Sequence, residues 1–216
     1  MARTRYMDPA ALPPMPDPET GLPRPPHAPG RASARPARLD PDRAGDPALA
    51  PAPPPGQGPV LAWYRASRRC AVMTGFWGFV LTAFLLTLRD AFQFHWVHYW
   101  WAWLSLLAIG FLVGLSQLKG THCAAGAEWV QGRKSWVRTY ELVKVKSGRS
   151  ASGVDVAMRD SAGRELSLSL ATLQQDRLLW DLVYNGILHS VIAGDAETNG
   201  RIHLHLNLPY RSPYSS

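Results

Sequence analysis

The feature that most constrains this chain is a run of 19 residues, Cys70 to Leu88, without a single charged side chain. As a helix that run is roughly 28 Å long, close to the hydrocarbon thickness of a bilayer. Its large residues (Phe76, Trp77, Phe79, Val80, Leu81, Phe84, Leu85, Leu86) leave no polar stripe of the kind a surface helix carries. The competing reading is the core helix of a soluble domain, but the rest of the chain is short for surrounding it. A second apolar span runs from about Trp96 to Leu118 and ends at Lys119. The charged pair Arg89-Asp90 separates the two spans, so they read as a transmembrane hairpin with helices at about 70–88 and 96–118.

Aromatic and basic residues orient the hairpin. Trp96, Trp100 and Trp101 crowd the start of the second span, where amphipathic rings settle at the headgroup level. Trp63, Arg65, Arg68 and Arg69 precede the first span and Lys119 follows the second, completing the set of residues expected at the membrane interface. The connecting loop holds Arg89 alone, beside Asp90, so the positive-inside rule places both chain ends in the cytoplasm of a multi-pass cell-membrane protein. Gly110 and Gly114 form a GxxxG, and Thr74, Gly78 and Thr82 form a small-residue ridge on the first span. Such stripes let helices approach closely, within one chain or between copies in a homo-oligomer. His95 and His98 share one helical face and have the chemistry to ligate metal or haem; the alternative is polar residues at an interface.

Residues 1 to 60 carry the proline clusters Pro13-Pro14, Pro25-Pro26 and Pro53-Pro54-Pro55. Proline at this density blocks helix and sheet, and few large apolar residues offset the ordering entropy. The expectation is a disordered, Pro/Ala/Arg-rich tail with local polyproline II, acting as a tether or as a docking segment for an aromatic groove. Its seven arginines nearly balance six carboxylates, which argues against a nucleic-acid-binding arm. The tail lacks an apolar h-region, so no secretory signal peptide is expected. Cys70 and Cys123 are expected near the cytoplasmic face as free thiols rather than as a disulfide.

After Lys119 the pattern shifts to short strands. Ala127 to Gln131 is a first strand, Gly132-Arg133-Lys134 a turn, and Trp136 to Lys146 a second strand with a break near Thr139–Glu141. Gly153 to Arg159 and Glu165 to Leu170 alternate cleanly around a hairpin turn at Asp160–Gly163. A helix follows. Thr172 and Gln175 suit a capping box, Leu173, Trp180, Val183, Ile187 and Val191 share a face, and Gly194 is placed to end it. The expected fold class is therefore α+β: a two-helix transmembrane hairpin and a small antiparallel β domain, at 119–194, closed by an amphipathic helix. Ile202 to Leu206 reads as a strand in a C-terminal tail, 195–216, with His203 and His205 on one face; a metal site there needs a third ligand, and His189 and Asp195 are the nearest in sequence.

The order of a membrane hairpin, short strands and a helix carrying Leu178-Leu179-Trp180-Asp181-Leu182-Val183-Tyr184-Asn185-Gly186 resembles actinobacterial membrane proteins with a bacterial pleckstrin-homology-like domain. The segment Trp136-Val137-Arg138-Thr139-Tyr140-Glu141-Leu142 is similar to a strand-turn segment of such domains, and the resemblance covers roughly residues 65 to 193. It implies a binding or scaffolding role without chemistry. Four strands are read from the sequence, where a full pleckstrin-homology fold has seven.

The net charge of +7 is unevenly spread. Arg133, Lys134, Arg138, Lys144, Lys146 and Arg149 face only Glu141 in their stretch, a local +5, while residues 150 to 216 sum to −2. Such a patch favours anionic lipid or an acidic partner. No phosphate loop, GxSxG or paired-cysteine motif occurs, and nothing calls for a cofactor. The sequence thus points to a non-catalytic, membrane-anchored adaptor or accessory subunit with a protein partner. Headgroup binding by the basic strands is the alternative, and a metal- or haem-dependent membrane enzyme is a third.

Overall fold

The computed structural model describes residues 6–30, 50–65, 68–90, 92–120, 122–133, 135–150 and 153–211. Contacts divide the chain into two compact units: Arg65–His122, and Met1–Tyr64 together with Cys123–Ser216.

The first unit is a pair of helices, α1 (Arg68–Arg89) and α2 (Trp100–Gly120). Among the described residues one helical stretch, Ala71–Arg89, is long and apolar enough to cross a membrane, and only 17% of its most apolar window is buried. A core helix of a soluble domain would be covered; here Trp77 is 61% exposed and Phe76, Leu81, Phe84 and Leu85 are also in the open. The apolar part of the second helix, Trp100–Ser116, is shorter. The span expected from Trp96 is corrected at its start. Trp96 lies in a 3₁₀ turn, His95–His98, because the chain first reverses through Phe92 and Phe94, both at positive φ (62° and 57°). Asp90 holds that turn by accepting the backbone N–H of His95.

The helices touch through glycine. A Cβ on Gly75 would sit 2.7 Å from the carbonyl oxygen of Gly110, and one on Gly114 would sit 3.0 Å from that of Ala71. The GxxxG is therefore a real contact within the hairpin. Its main counterpart is Ala71 and Gly75, whereas of the expected ridge Gly78 meets the side chain of Val113.

The second unit is α+β. Strand β1 (Tyr6–Met7) pairs in parallel with a strand near the C-terminus, β10 (Tyr210–Arg211). A four-stranded sheet has the order β2 (Ala62–Arg65), β3 (His122–Ala125), β4 (Trp129–Gln131), β5 (Trp136–Arg138). The β3–β4 and β4–β5 pairs are antiparallel. The hairpin is thus inserted in the chain between two neighbouring strands of one sheet. A second sheet contains β6 (Leu142–Ser150), β7 (Gly153–Asp160) and β8 (Glu165–Ser169), with β9 (Glu197–Thr198) added in parallel to the edge at β6. The expected break at Thr139–Glu141 separates β5 from β6, and the register shifts again between Leu142 and Lys144.

The helix expected from Thr172 is two helices. A single turn, α3 (Leu170–Leu173), precedes α4 (Arg177–Ile192), whose N-cap is Asp176: its carboxylate accepts the N–H of Leu179 at 2.8 Å. Asp176 outcompetes the Thr172/Gln175 box because its backbone is extended (φ −115°, ψ 130°) as an N-cap requires. Helix α4 carries the core, with Leu179, Val183 and Ile187 fully buried against Val130, Val137, Val145, Val156 and Met158.

Two further expectations are corrected. Ile202 to Leu206 is not a strand but part of α5 (Gly200–Leu206), capped by Asn199 through its side chain to the N–H of Ile202. Ile202 and Leu206, four apart, are both buried while Leu204 is 72% exposed, so the helical period fits where strand alternation, which would bury Leu204, does not. Residues 1 to 60, expected to be disordered throughout, are described at 6–30 and 50–60, where Pro16, Pro25 and Pro54 are buried and Met7 and Leu12 pack on the core.

Gly186 marks a close approach of helix and strand break: a Cβ there would fall 2.3 Å from Cβ of Thr139. Gly186→Ala should cost about 1–3 kcal/mol, read as a lower urea midpoint of tryptophan fluorescence, whereas Gly148→Ala, where a Cβ meets nothing within 4 Å, should leave the midpoint within about 0.5 kcal/mol. In detergent, Gly75→Val should lower the thermal midpoint of helix loss by circular dichroism, and Val72→Ala on the open side of α1 should not.

Candidate functional site

The site with the most built structure lies on α4 where it meets the strand break. Ser190 joins the two: its hydroxyl accepts the N–H of Leu142 at 3.1 Å and donates to the carbonyl of Thr139 at 2.8 Å. Those are the backbone groups that β5 and β6 leave unpaired as one strand ends and the next begins. Gly186 lets Thr139 come against the helix backbone, and Asn185 donates to the hydroxyl of Tyr140 at 2.9 Å. The ring of Tyr140 packs edge-on to His189 at 5.2 Å. The segments Trp136–Leu142 and Leu178–Gly186 therefore meet in space. Burial pushes the Tyr140 phenol up to about 12, and it pushes the Cys123 thiol to about 12 as well.

Asp181, Asn185 and His189 form a polar side of α4, with Trp180 at the edge of the apolar face, and the N-terminal segment lies on them. His189 Nε2 donates to the carbonyl of Pro13 at 2.7 Å, and Asn185 Nδ2 reaches that of Pro14 at 3.4 Å. The indole of Trp180 donates to the carbonyl of Pro29 at 3.0 Å. Asp181, 5% exposed, accepts the N–H of Ala28 at 2.8 Å and lies 3.0 Å from Nδ1 of His27. Arg177 Nε is 3.2 Å from the same His27 nitrogen, which donates to Asp181 or accepts from Arg177 according to its tautomer. Periodicity found the apolar face of α4 and missed this polar one. The signal was present as Arg177, Asp181, Asn185 and His189 at steps of four.

The basic residues read as a patch are dispersed and largely paired. Arg138 bonds Glu141 at 2.8 Å, and Glu141 also accepts from Ser161; the two bonds, Arg138's first, draw its carboxyl below the usual range. Lys144 and Lys146 both reach Glu197, at 3.2 and 2.7 Å, and hold it below the usual carboxylate range. Arg133 is exposed in the β4–β5 turn and Arg149 is exposed near the end of β6. Lys134 lies outside the described residues. A shallow groove of about 370 Å³ on the second sheet is lined by Lys144, Lys146 and Arg159 with Glu165, Ala157 and Ser167. Arg159 lies 3.6 Å from Glu165, so this face alternates in sign. A better-buried ion pair escaped notice in the sequence: Asp160, with no exposed side-chain surface, is bonded by Arg164, whose guanidinium stacks 3.6 Å over Trp136.

Of the expected interface residues, Trp100 is 73% exposed and Trp101 is exposed, while Trp96 is half-buried and donates to Thr87 at 3.3 Å. Trp63 is half-buried in β2. The side chains of Arg65, Arg68, Arg69 and Lys119 lie outside the described residues. The histidines do not converge. His95 sits 3.3 Å from Asp90, His203 stacks on Tyr210 at 3.9 Å, and His205 bonds the hydroxyl of Ser147 at 2.9 Å. Among the described residues no group of three or more His, Cys, Asp or Glu is arranged to hold a metal ion.

Compared with known proteins, the chain matches no family model, no curated protein and no solved structure.

The raised Tyr140 pKa fixes a sign. The neutral phenol is favoured in the folded chain, so its contribution is complete below pH 10, the usual tyrosine value, and is lost as pH rises toward 12. Tyr140→Phe, which removes the bond to Asn185, should cost about 1 kcal/mol near pH 8. That difference should shrink steadily between pH 10 and 12 in urea titrations of the two chains.

Proposed function

We propose that this chain is a non-catalytic, membrane-anchored adaptor or accessory subunit. Its α+β unit is a pleckstrin-homology-like module at the cytoplasmic face, and its two apolar helices form a transmembrane hairpin. The observation that carries the reading is the insertion of α1 and α2 between β2 and β3. Two residues link β2 to α1 and one links α2 to β3. A hairpin that leaves and rejoins neighbouring strands has both ends on the side of the membrane that holds the sheet, as the positive-inside count requires. The exposed aromatic and aliphatic surface of α1 supports lipid as its surroundings. The pleckstrin-homology likeness draws on a four-stranded sheet in which β3, β4 and β5 are antiparallel, a second sheet with three consecutive antiparallel strands, and a long helix after them.

The alternative is direct recognition of an anionic headgroup by Lys144, Lys146 and Arg159 at the groove on the second sheet. Glu197 and Glu165 neutralise much of that charge, which favours the adaptor reading.

Three measurements test the proposal. Reporter fusions should place both chain ends in the cytoplasm; ends on opposite sides overturn the hairpin. Extraction in mild detergent should bring down a reproducible partner protein, and its absence counts against the adaptor. In flotation of the purified chain reconstituted in neutral carrier vesicles against acidic vesicles, Glu197→Gln should strengthen capture by the acidic ones if the headgroup alternative is right and leave it unchanged under the adaptor reading.

A further inference from the structure

The polar face of α4 treats the N-terminal segment as a ligand. Four of the groups it bonds are main-chain, the carbonyls of Pro13, Pro14 and Pro29 and the N–H of Ala28, and one is a side chain, the His27 ring between Asp181 and Arg177. Three of the four are proline carbonyls, in stretches whose prolines cannot build a helix or strand ladder that would supply donors. The donors come from an indole, an imidazole and an amide, set among the rings of Trp180, Tyr184 and Tyr140. Leu12, at the start of the segment, has φ −64° and ψ 141°, the polyproline II conformation. The segment meets α4 as two proline-rich stretches on either side of a turn in which the N–H of Asp17 donates to the carbonyl of Leu22 at 2.8 Å, and aromatic rings with an indole donor that receive such stretches through their carbonyls suit binding at low entropic cost. The match is also incomplete: the Oδ1 atom of Asn185 is buried with no hydrogen-bond partner, and the prolines beside it have no N–H to offer.

We infer that the Trp180–Asp181–Asn185–His189 face of α4, with Tyr140, is a docking site for a proline-rich segment of a partner protein, and that residues 9–30, folded back at Asp17–Leu22, occupy it in cis as a displaceable stand-in. The inference rests on the adaptor reading for its purpose and names the site and the partner class. An external segment competes with a tethered one, so its apparent affinity is lowered by the local concentration of the tail. A segment that also supplies an N–H to Asn185 Oδ1 makes one bond the resident does not.

The test uses the full chain in detergent and a fluorescent synthetic peptide of residues 9–30. A chain in which residues 9–30 are replaced by a Gly/Ser stretch of equal length should bind the peptide saturably, at least tenfold tighter than the unaltered chain. In that background Trp180→Phe and His189→Phe keep a ring but remove the donor, and each should weaken binding about tenfold. A replaced chain that keeps its near-ultraviolet circular dichroism yet fails to bind overturns the inference. So does equal binding of a scrambled peptide with its prolines changed to alanine. If the replaced chain does not fold, hydrogen exchange on the unaltered chain decides. Amides in residues 10–30 that are protected and lose protection when excess peptide is added support the site, and amides whose exchange the peptide does not change overturn it. Peptide binding and partner co-purification are separate readouts, so either reading can fail alone.

Discussion

The interaction on which the domain depends is the bond pair that Ser190 makes across the break between β5 and β6. A strand that stops and restarts leaves a carbonyl and an N–H without ladder partners, and burying them unpaired would cost about 1–3 kcal/mol each. One hydroxyl on α4 satisfies both. Gly186, one turn earlier, is the condition for this, since any side chain there would hold Thr139 away. Helix and sheet are thus locked in one register by polar groups, and the apolar contacts of Leu179, Val183 and Ile187 follow from that placement.

Charge acts locally rather than as a field. The stretch from Arg133 to Arg149 looks strongly basic along the sequence, yet two of its lysines share Glu197, a residue of an added edge strand some fifty positions away, and Arg138 is tied to Glu141. Ion pairs this exposed contribute little stability. What they change is the potential a lipid surface or an acidic partner would meet.

A tail rich in proline is expected to lack structure because it cannot form a ladder or bury much apolar area. The described parts of this one satisfy their backbone in another way. The tail's carbonyls are met by donors on α4, and a few of its residues, Leu12, Pro16 and Pro25 among them, are sheltered by a core that already exists. Composition reports what a segment can do alone. It does not report whether a folded neighbour supplies the missing donors.

The elements read well from local pattern were those governed by local physics. The charge-free run at Cys70–Leu88, the alternation of β7 and β8 around their turn, the break at Thr139–Glu141 and the apolar face of α4 each leave a periodic trace within a dozen residues. The elements misread were those where two local options are close in energy: Thr172 against Asp176 as the cap, strand against helix at Ile202–Leu206, start of the second span at Trp96 or Trp100. Short-range side-chain bonds decided two of these, Asp176 to Leu179 for the cap and Asp90 to His95 for the loop, and the long-range bonds of Asn199 and His205 to Ser147 decided α5. The candidate site was legible only in halves. Sequence alone determined that the chain has a long apolar helix and a mixed α+β unit, because hydrophobic spacing is local. Only the tertiary structure decided that β2 and β3 are neighbours across the hairpin and that Pro13, Pro14 and Pro29 sit on Trp180, Asn185 and His189. Those pairings join residues more than fifty positions apart, and no local propensity encodes them.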